Sequence, residues 1–108
     1  MSDEKIIEYK LIEPITLDKG VVLDVLKMNF NGLKYADLKT ARRIRQGIVG
    51  DQKCVIPKLD PDLQFAFSYV AALKATPGLT LDDVVKLSPL DVFELSEVCA
   101  DNYFFRWL

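Results

Sequence analysis

The chain has 108 residues, 50% hydrophobic and 28% charged, with a net charge of −2. That is the make-up of one ordinary soluble domain, large enough to bury a core without staples and too short for two. There is no histidine and there are only two cysteines, Cys54 and Cys99, which removes the commonest general base, the commonest metal ligand and any Cys-x-x-Cys site.

No apolar run reaches the ~18 residues of a membrane span, and the polar residues 1–5 do not read as a secretory signal. The expected location is a cytoplasm, with both cysteines as free thiols rather than a disulfide. Charge is unevenly spread: residues 1–26 sum to −3, residues 27–58 to +6 and residues 59–101 to −6. Complementary halves can pair within one chain or head to tail between chains, and two solvated faces are the plainer alternative.

Residues 6–17 read as an extended segment, because Ile7, Tyr9 and Leu11 alternate with Glu8 and Lys10. Pro14 has no amide for a ladder, so the strand is an edge or is broken there. Asp18-Lys19-Gly20 forms a turn in which Gly20 can supply a positive φ. Residues 21–28 return as a second strand. Leu23, Leu26 and Met28 depart from strict alternation, which predicts a bulge near Asp24 or Val25. Such a hairpin is marginal alone and must pack on helices or pair with another chain's edge.

Asn29-Phe30-Asn31-Gly32 reads as a loop. A helical pattern then runs from about Tyr35 to Gln46, with Leu38, Ala41 and Ile44 or Ile48 near one face. Gly47 and Gly50 are expected to end it, with cations in the last turn suiting the helix dipole. Asp60-Pro61 marks the next helix start, running to about Ala75 and stopping at Thr76-Pro77-Gly78. Thr80 and Asp83 open a short helix as a capping box. Ser88-Pro89 starts a last helix ending near Asn102. The expected fold is α+β: a single domain with a β-hairpin (residues 1–28) packed on a small bundle of three to four helices (35–102), followed by an aromatic tail (103–108).

Two segments stand out as candidate contact surfaces. Residues 63–75 are apolar nearly all round, with Gln64 and Ser68 on one narrow polar stripe. A helix of this kind is covered on nearly every side, by its own domain or by a partner, and the sequence leaves both open. The tail holds Tyr103, Phe104, Phe105 and Trp107, either folded into the core or free to dock an apolar partner. Asp91, Glu94, Glu97 and Asp101 read as an acidic solvent face of the last helix, with Leu90, Phe93, Leu95, Val98 and Cys99 filling much of the remainder. Carboxylates strung along a face do not converge on a metal or form an acid–base pair. Lys39, Arg42, Arg43 and Arg45 invite a nucleic-acid reading. The run is short, however, and no recognised signature accompanies it, so a solvated or salt-bridging face is the plainer reading. No enzyme and no cofactor are expected.

The order of motifs, made of apolar residues and turns, can be compared with known families. Leu11-x-x-Pro14-Ile15 and the turn residue Gly20 precede Leu23…Leu26-x-Met28 and a helical region opened by Leu38. The chain then closes with Leu87-Ser88-Pro89-Leu90-Asp91-Val92-Phe93-Glu94-Leu95-Ser96-Glu97-Val98. Over residues 9–102 this resembles the small tail assembly chaperones of contractile-tailed phages and Mu-like prophages. The resemblance implies a non-enzymatic protein of the bacterial host cytoplasm. Such a chaperone binds the long, helical tape measure protein and keeps it soluble before tail tube polymerisation. It is then displaced and is absent from the mature virion. The resemblance also implies contact with the tail tube protein through a frameshifted longer form. An open hairpin edge and the split charge lead to the expectation of a homo-oligomer along the client. On this reading Phe65, Phe67, Tyr69, Leu73, Phe104 and Trp107 are the partner-contact residues. Two rivals are a structural subunit of a phage tail or tube-like particle, and a small nucleic-acid-binding regulator using residues 39–45.

Overall fold

Period-two alternation at the start of the chain produces a two-stranded antiparallel hairpin, β1 (Ile7–Thr16) and β2 (Val22–Met28). The structure is a computed structural model that describes residues 6–51, 53, 56 and 59–104, with Phe104 represented by its backbone alone. At the turn, the Leu17 amide donates to Val21 O at 2.7 Å and Gly20 takes φ 80°. An L side chain is strained there, which is why the turn carries glycine.

The register runs from Ile7 opposite Met28 to Lys10 opposite Val25, then resumes with Ile15 opposite Leu23. The irregularity therefore faces Asp24, but the extra residues belong to β1, at 11–14, and not to β2 as the sequence pattern suggested. The reason is chemical. Pro14 has no N–H to give, and the amides of Ile12 and Glu13 turn away from β2 to the Asp91 carboxylate.

Asn29 caps a single 3-10 turn, Phe30–Gly32, by accepting from the amides of Asn31 and Gly32. Helix α1 (Tyr35–Val49) follows, with the Asp37 carboxylate accepting from the Lys34 amide at 2.7 Å. The helix runs through Gly47 and stops only at Gly50, where φ is 66°. The expected stop near Gln46 was therefore too early: glycine ends a helix where a positive φ is needed, and Gly47 does not adopt one. Nor do cations occupy the last turn. Arg45 instead points inward and meets Asp60 at 2.8 Å.

Helix α2 (Pro61–Ala75) starts as its sequence requires, with the Asp60 side chain accepting from the Leu63 amide at 3.0 Å and proline in the first turn. It is the centre of the molecule, packed by α1, by β2 and by helix α3 (Pro89–Cys99). Leu63 through Ala72 are all buried, including Gln64 and Ser68. The expected polar stripe is thus interior, and Ser68 Oγ donates to Leu95 O at 2.5 Å. Burial of each large apolar side chain, such as Phe65, Leu26 and Met28, contributes roughly 1.5–3 kcal/mol. Thr76, just past the end of α2, ties it to the hairpin by exchanging hydrogen bonds with the Lys27 backbone at 2.8 and 2.9 Å.

Thr80 precedes a 3-10 helix, Leu81–Lys86, in which the Asp83 carboxylate accepts from the Thr80 amide and hydroxyl. Ser88 caps α3 by accepting from the Asp91 amide. Regular α-helical bonding ends at Cys99, earlier than expected, and a π turn spans Ala100–Phe104. Tyr103 lies on it, with ring centroids 5.7 Å from Phe30 and 5.9 Å from Phe67. The described part of the aromatic tail is thereby tied to the core. The α+β architecture read from the sequence is the one observed.

Candidate functional site

The surface between α1, the 3-10 helix and α3 follows from how α3 is turned. Asp91, Leu95 and Cys99 recur at i, i+4 and i+8 and face inward, fully buried. That orientation corrects the acidic face expected of this helix: Asp91 is core, while Glu94, Glu97 and Asp101 are exposed. It also turns Leu90 and Phe93 outward, at 59% and 64% exposure, where the sequence reading had them as filling.

Asp91 is held by four donors. Its Oδ1 accepts from Tyr9 Oη at 2.6 Å and the Ile12 amide at 2.8 Å. Its Oδ2 accepts from Ser88 Oγ at 2.9 Å and the Glu13 amide at 3.1 Å. Burial alone raises such a carboxyl, but these bonds to the charged form outweigh it and hold Asp91 below the ordinary aspartate value. Burial, followed by the bond to Asp91, pushes the Tyr9 phenol the other way. With Asp91 anchoring α3 to β1, the outward side of α3 is left to line a groove.

That groove has a volume of about 720 Å³. Ile44 from α1, Phe65 from α2 and Leu87 form its buried floor. Gly47 and Ile48 stand on the α1 side, and Leu81, Val85, Val92 and Phe93 on the other. Val85 is 84% exposed, more than any other large apolar side chain among the described residues. The 84-85 valine pair splits because a 3-10 helix turns about 120° per residue, so Val84 packs on the core while Val85 faces out. Such a lining, with few polar groups, suits apolar side chains of a partner rather than chemistry on a polar substrate.

No family model, curated protein or solved structure matches the chain.

The residues singled out from sequence divide sharply. Phe65, Phe67 and Tyr69 are buried in the chain's own core, where α1, α3 and the hairpin between them cover α2; Phe67 and Tyr69 are therefore corrected from partner contacts to structural residues, and of the three only Phe65 lines the groove. Tyr69 Oη donates to Thr80 O at 2.6 Å, and Phe65 reaches the groove only as its floor. Leu73 is half-buried against the core. Trp107 and the Phe104 side chain lie outside the described residues. Sequence reasoning missed Val85 and took Ile48 and Phe93 only as apolar residues of their helices, whereas all three are exposed at the groove. A signal for Phe93 was present: placing Asp91 in line with Leu95 and Cys99 forces Phe93 to the opposite side.

Arg45 is buried and paired with Asp60, so of the basic run only Lys39, Arg42 and Arg43 face solvent. That removes a cation from the surface that a nucleic acid would use. Among the described residues no group of three or more His, Cys, Asp or Glu side chains could hold a metal ion. No described helix is long and apolar enough to cross a membrane. Burial pushes the Cys99 thiol well above its ordinary value, and the thiolate is the reactive form. Iodoacetamide at neutral pH is expected to leave Cys99 unmodified in the native protein and to alkylate it in denaturant. Peptide mapping reads the outcome, and native labelling at Cys99 would contradict its burial.

Proposed function

We propose that this chain is a tail assembly chaperone of a contractile-tailed phage or prophage. Its groove takes an amphipathic helical segment of the tape measure protein and keeps that client soluble before the tail tube polymerises. The observation that carries the reading is the apolar groove flanked by α1 and α3, both of which pack on α2. A further helix laid there would sit as its neighbours do, about 8–10 Å from the helices beside it. Helix-in-groove recognition needs apolar anchors at i, i+3, i+4 and i+7, and a client that forms a long helix supplies them repeatedly. The resemblance of the motif order to that of tail assembly chaperones supports this choice of client class. Modest affinity at one groove suits a partner that must later be displaced, and repeated engagement by several copies raises the total by multivalency.

The test is co-expression with each long coiled-coil protein that the genes flanking this one are found to encode. The expected result is a soluble neighbour that co-purifies with this chain and precipitates without it. Val85→Glu and Phe93→Glu, both at exposed positions, are expected to abolish co-purification and to leave the thermal transition within a degree or two. A neighbour that stays insoluble overturns the reading. Recovery of this chain from finished particles would make it a structural subunit instead.

A further inference from the structure

Three charged side chains interrupt the apolar lining of the groove: Arg43 from α1, Asp62 from the first turn of α2 and Asp82 from the 3-10 helix. None of them is in an ion pair or a side-chain hydrogen bond with another described residue. Neighbouring charges behave differently. Arg45 pairs with Asp60, Lys74 with Asp37 and Lys86 with Asp83. Arg43, Asp62 and Asp82 therefore line the groove without a partner in the described part of the chain.

Arg43 and Asp82 are exposed and Asp62 is half-buried, so an occupant of the groove removes part of their hydration. Losing hydration without a partner is costly, so complementary groups on the occupant favour binding. Two signs come from different walls. The α1 side is basic beyond Arg43 as well, because Lys39 and Arg42 share its exposed face. The α2 start and the 3-10 helix present carboxylates.

We infer that the groove selects an amphipathic helix whose apolar stripe is flanked by carboxylates on one side and by lysine or arginine on the other. The acidic flank meets Arg43 and the basic flank meets Asp62 and Asp82. This rests on the groove being the client site, and it deepens that reading by stating the client's charge pattern. The pattern also sets direction. Reversing a helix end for end exchanges its flanks, so a given segment fits in one polarity only. Such charges act through specificity more than through raw affinity.

Three synthetic helices test this with the full chain. They share one stripe of leucines at i, i+3, i+4 and i+7. One carries glutamate on both flanks, one lysine on both, and one glutamate on one flank and lysine on the other. The mixed helix is expected to bind about three- to tenfold more tightly than either uniform one at low salt, the range that a few exposed ion pairs supply. The preference should shrink toward 0.5 M salt. Arg43→Glu replaces the one cation among the lining residues with a carboxylate and is expected to move the preference toward the lysine-flanked helix. Equal binding of all three, unmoved by Arg43→Glu but lost in Phe93→Glu, overturns the charge rule and leaves the groove reading standing. Binding of none, or binding indifferent to Phe93→Glu, removes the groove reading and the inference with it.

Discussion

Asp91→Ala is expected to remove a large fraction of this protein's stability. The carboxylate is wholly buried and accepts four hydrogen bonds, from Tyr9, Ile12, Glu13 and Ser88. Removing it deprives two backbone amides in the β1 bulge of their partner and leaves two hydroxyls without theirs. Breaking a buried charged centre of this kind costs about 3–5 kcal/mol, against a total of about 5–15 kcal/mol for a typical domain. The loss of melting temperature should exceed roughly 12 °C. Asp91→Asn keeps the shape but replaces one acceptor oxygen with a donor, so a smaller loss of the same sign is expected.

The same carboxylate gives the acid limb of stability its form. Its folded value lies below the ordinary 3.8, with burial opposing the shift and the four hydrogen bonds prevailing. Asp83 is shifted in the same direction, chiefly by Lys86 at 2.8 Å. A carboxylate depressed on folding contributes fully above its unfolded value. It loses that contribution as pH falls through the folded one. Denaturant midpoints should therefore hold steady down to about pH 4 and fall below it. In Asp91→Asn the fall should be shallower. A wild-type midpoint unchanged between pH 5 and pH 2.5 would contradict the assigned partners.

The link between α3 and β1 also shows where sequence reading stopped. Local signals were legible. The hairpin followed from alternation and Gly20, and α2 followed from Asp60-Pro61 at one end and Thr76-Pro77-Gly78 at the other. Each depends on residues within a few positions of each other. Asp91 depends instead on residues about 80 positions away, Tyr9, Ile12 and Glu13. Read locally, it joined Glu94 and Glu97 as one more surface acid. Once its burial is known, the exposure of Leu90 and Phe93 follows from helical spacing, and so does the groove. The aromatic residues of α2 were misleading for a related reason. Apolar cover on every side marks a helix as enclosed, but composition does not say whether the enclosing surface belongs to the same chain.

On the proposed function, Gly47→Leu is expected to stabilise the fold while abolishing client binding, an opposition that few other substitutions in this chain should produce. Gly47 lies within α1, is exposed and does not take a positive φ. Glycine inside a helix costs roughly 0.5–1 kcal/mol relative to alanine, and leucine is nearly as good a helix former as alanine. A Cβ built there meets nothing within 4 Å, so the position is open at its base. Yet Gly47 lines the groove between Arg43 and Ile48. A leucine side chain projecting from it fills space that a docked helix needs. The melting temperature should rise by a few degrees, while co-purification with the coiled-coil client falls to background. Gly47→Ala separates the two effects: it should give most of the stabilisation and retain most of the binding, because one methyl group leaves the groove open. Binding that survives Gly47→Leu with a raised melting temperature would place the client elsewhere on the molecule. Lost binding in Gly47→Leu, with Gly47→Ala intact, would be steric occlusion of the groove and not a disturbance of the fold.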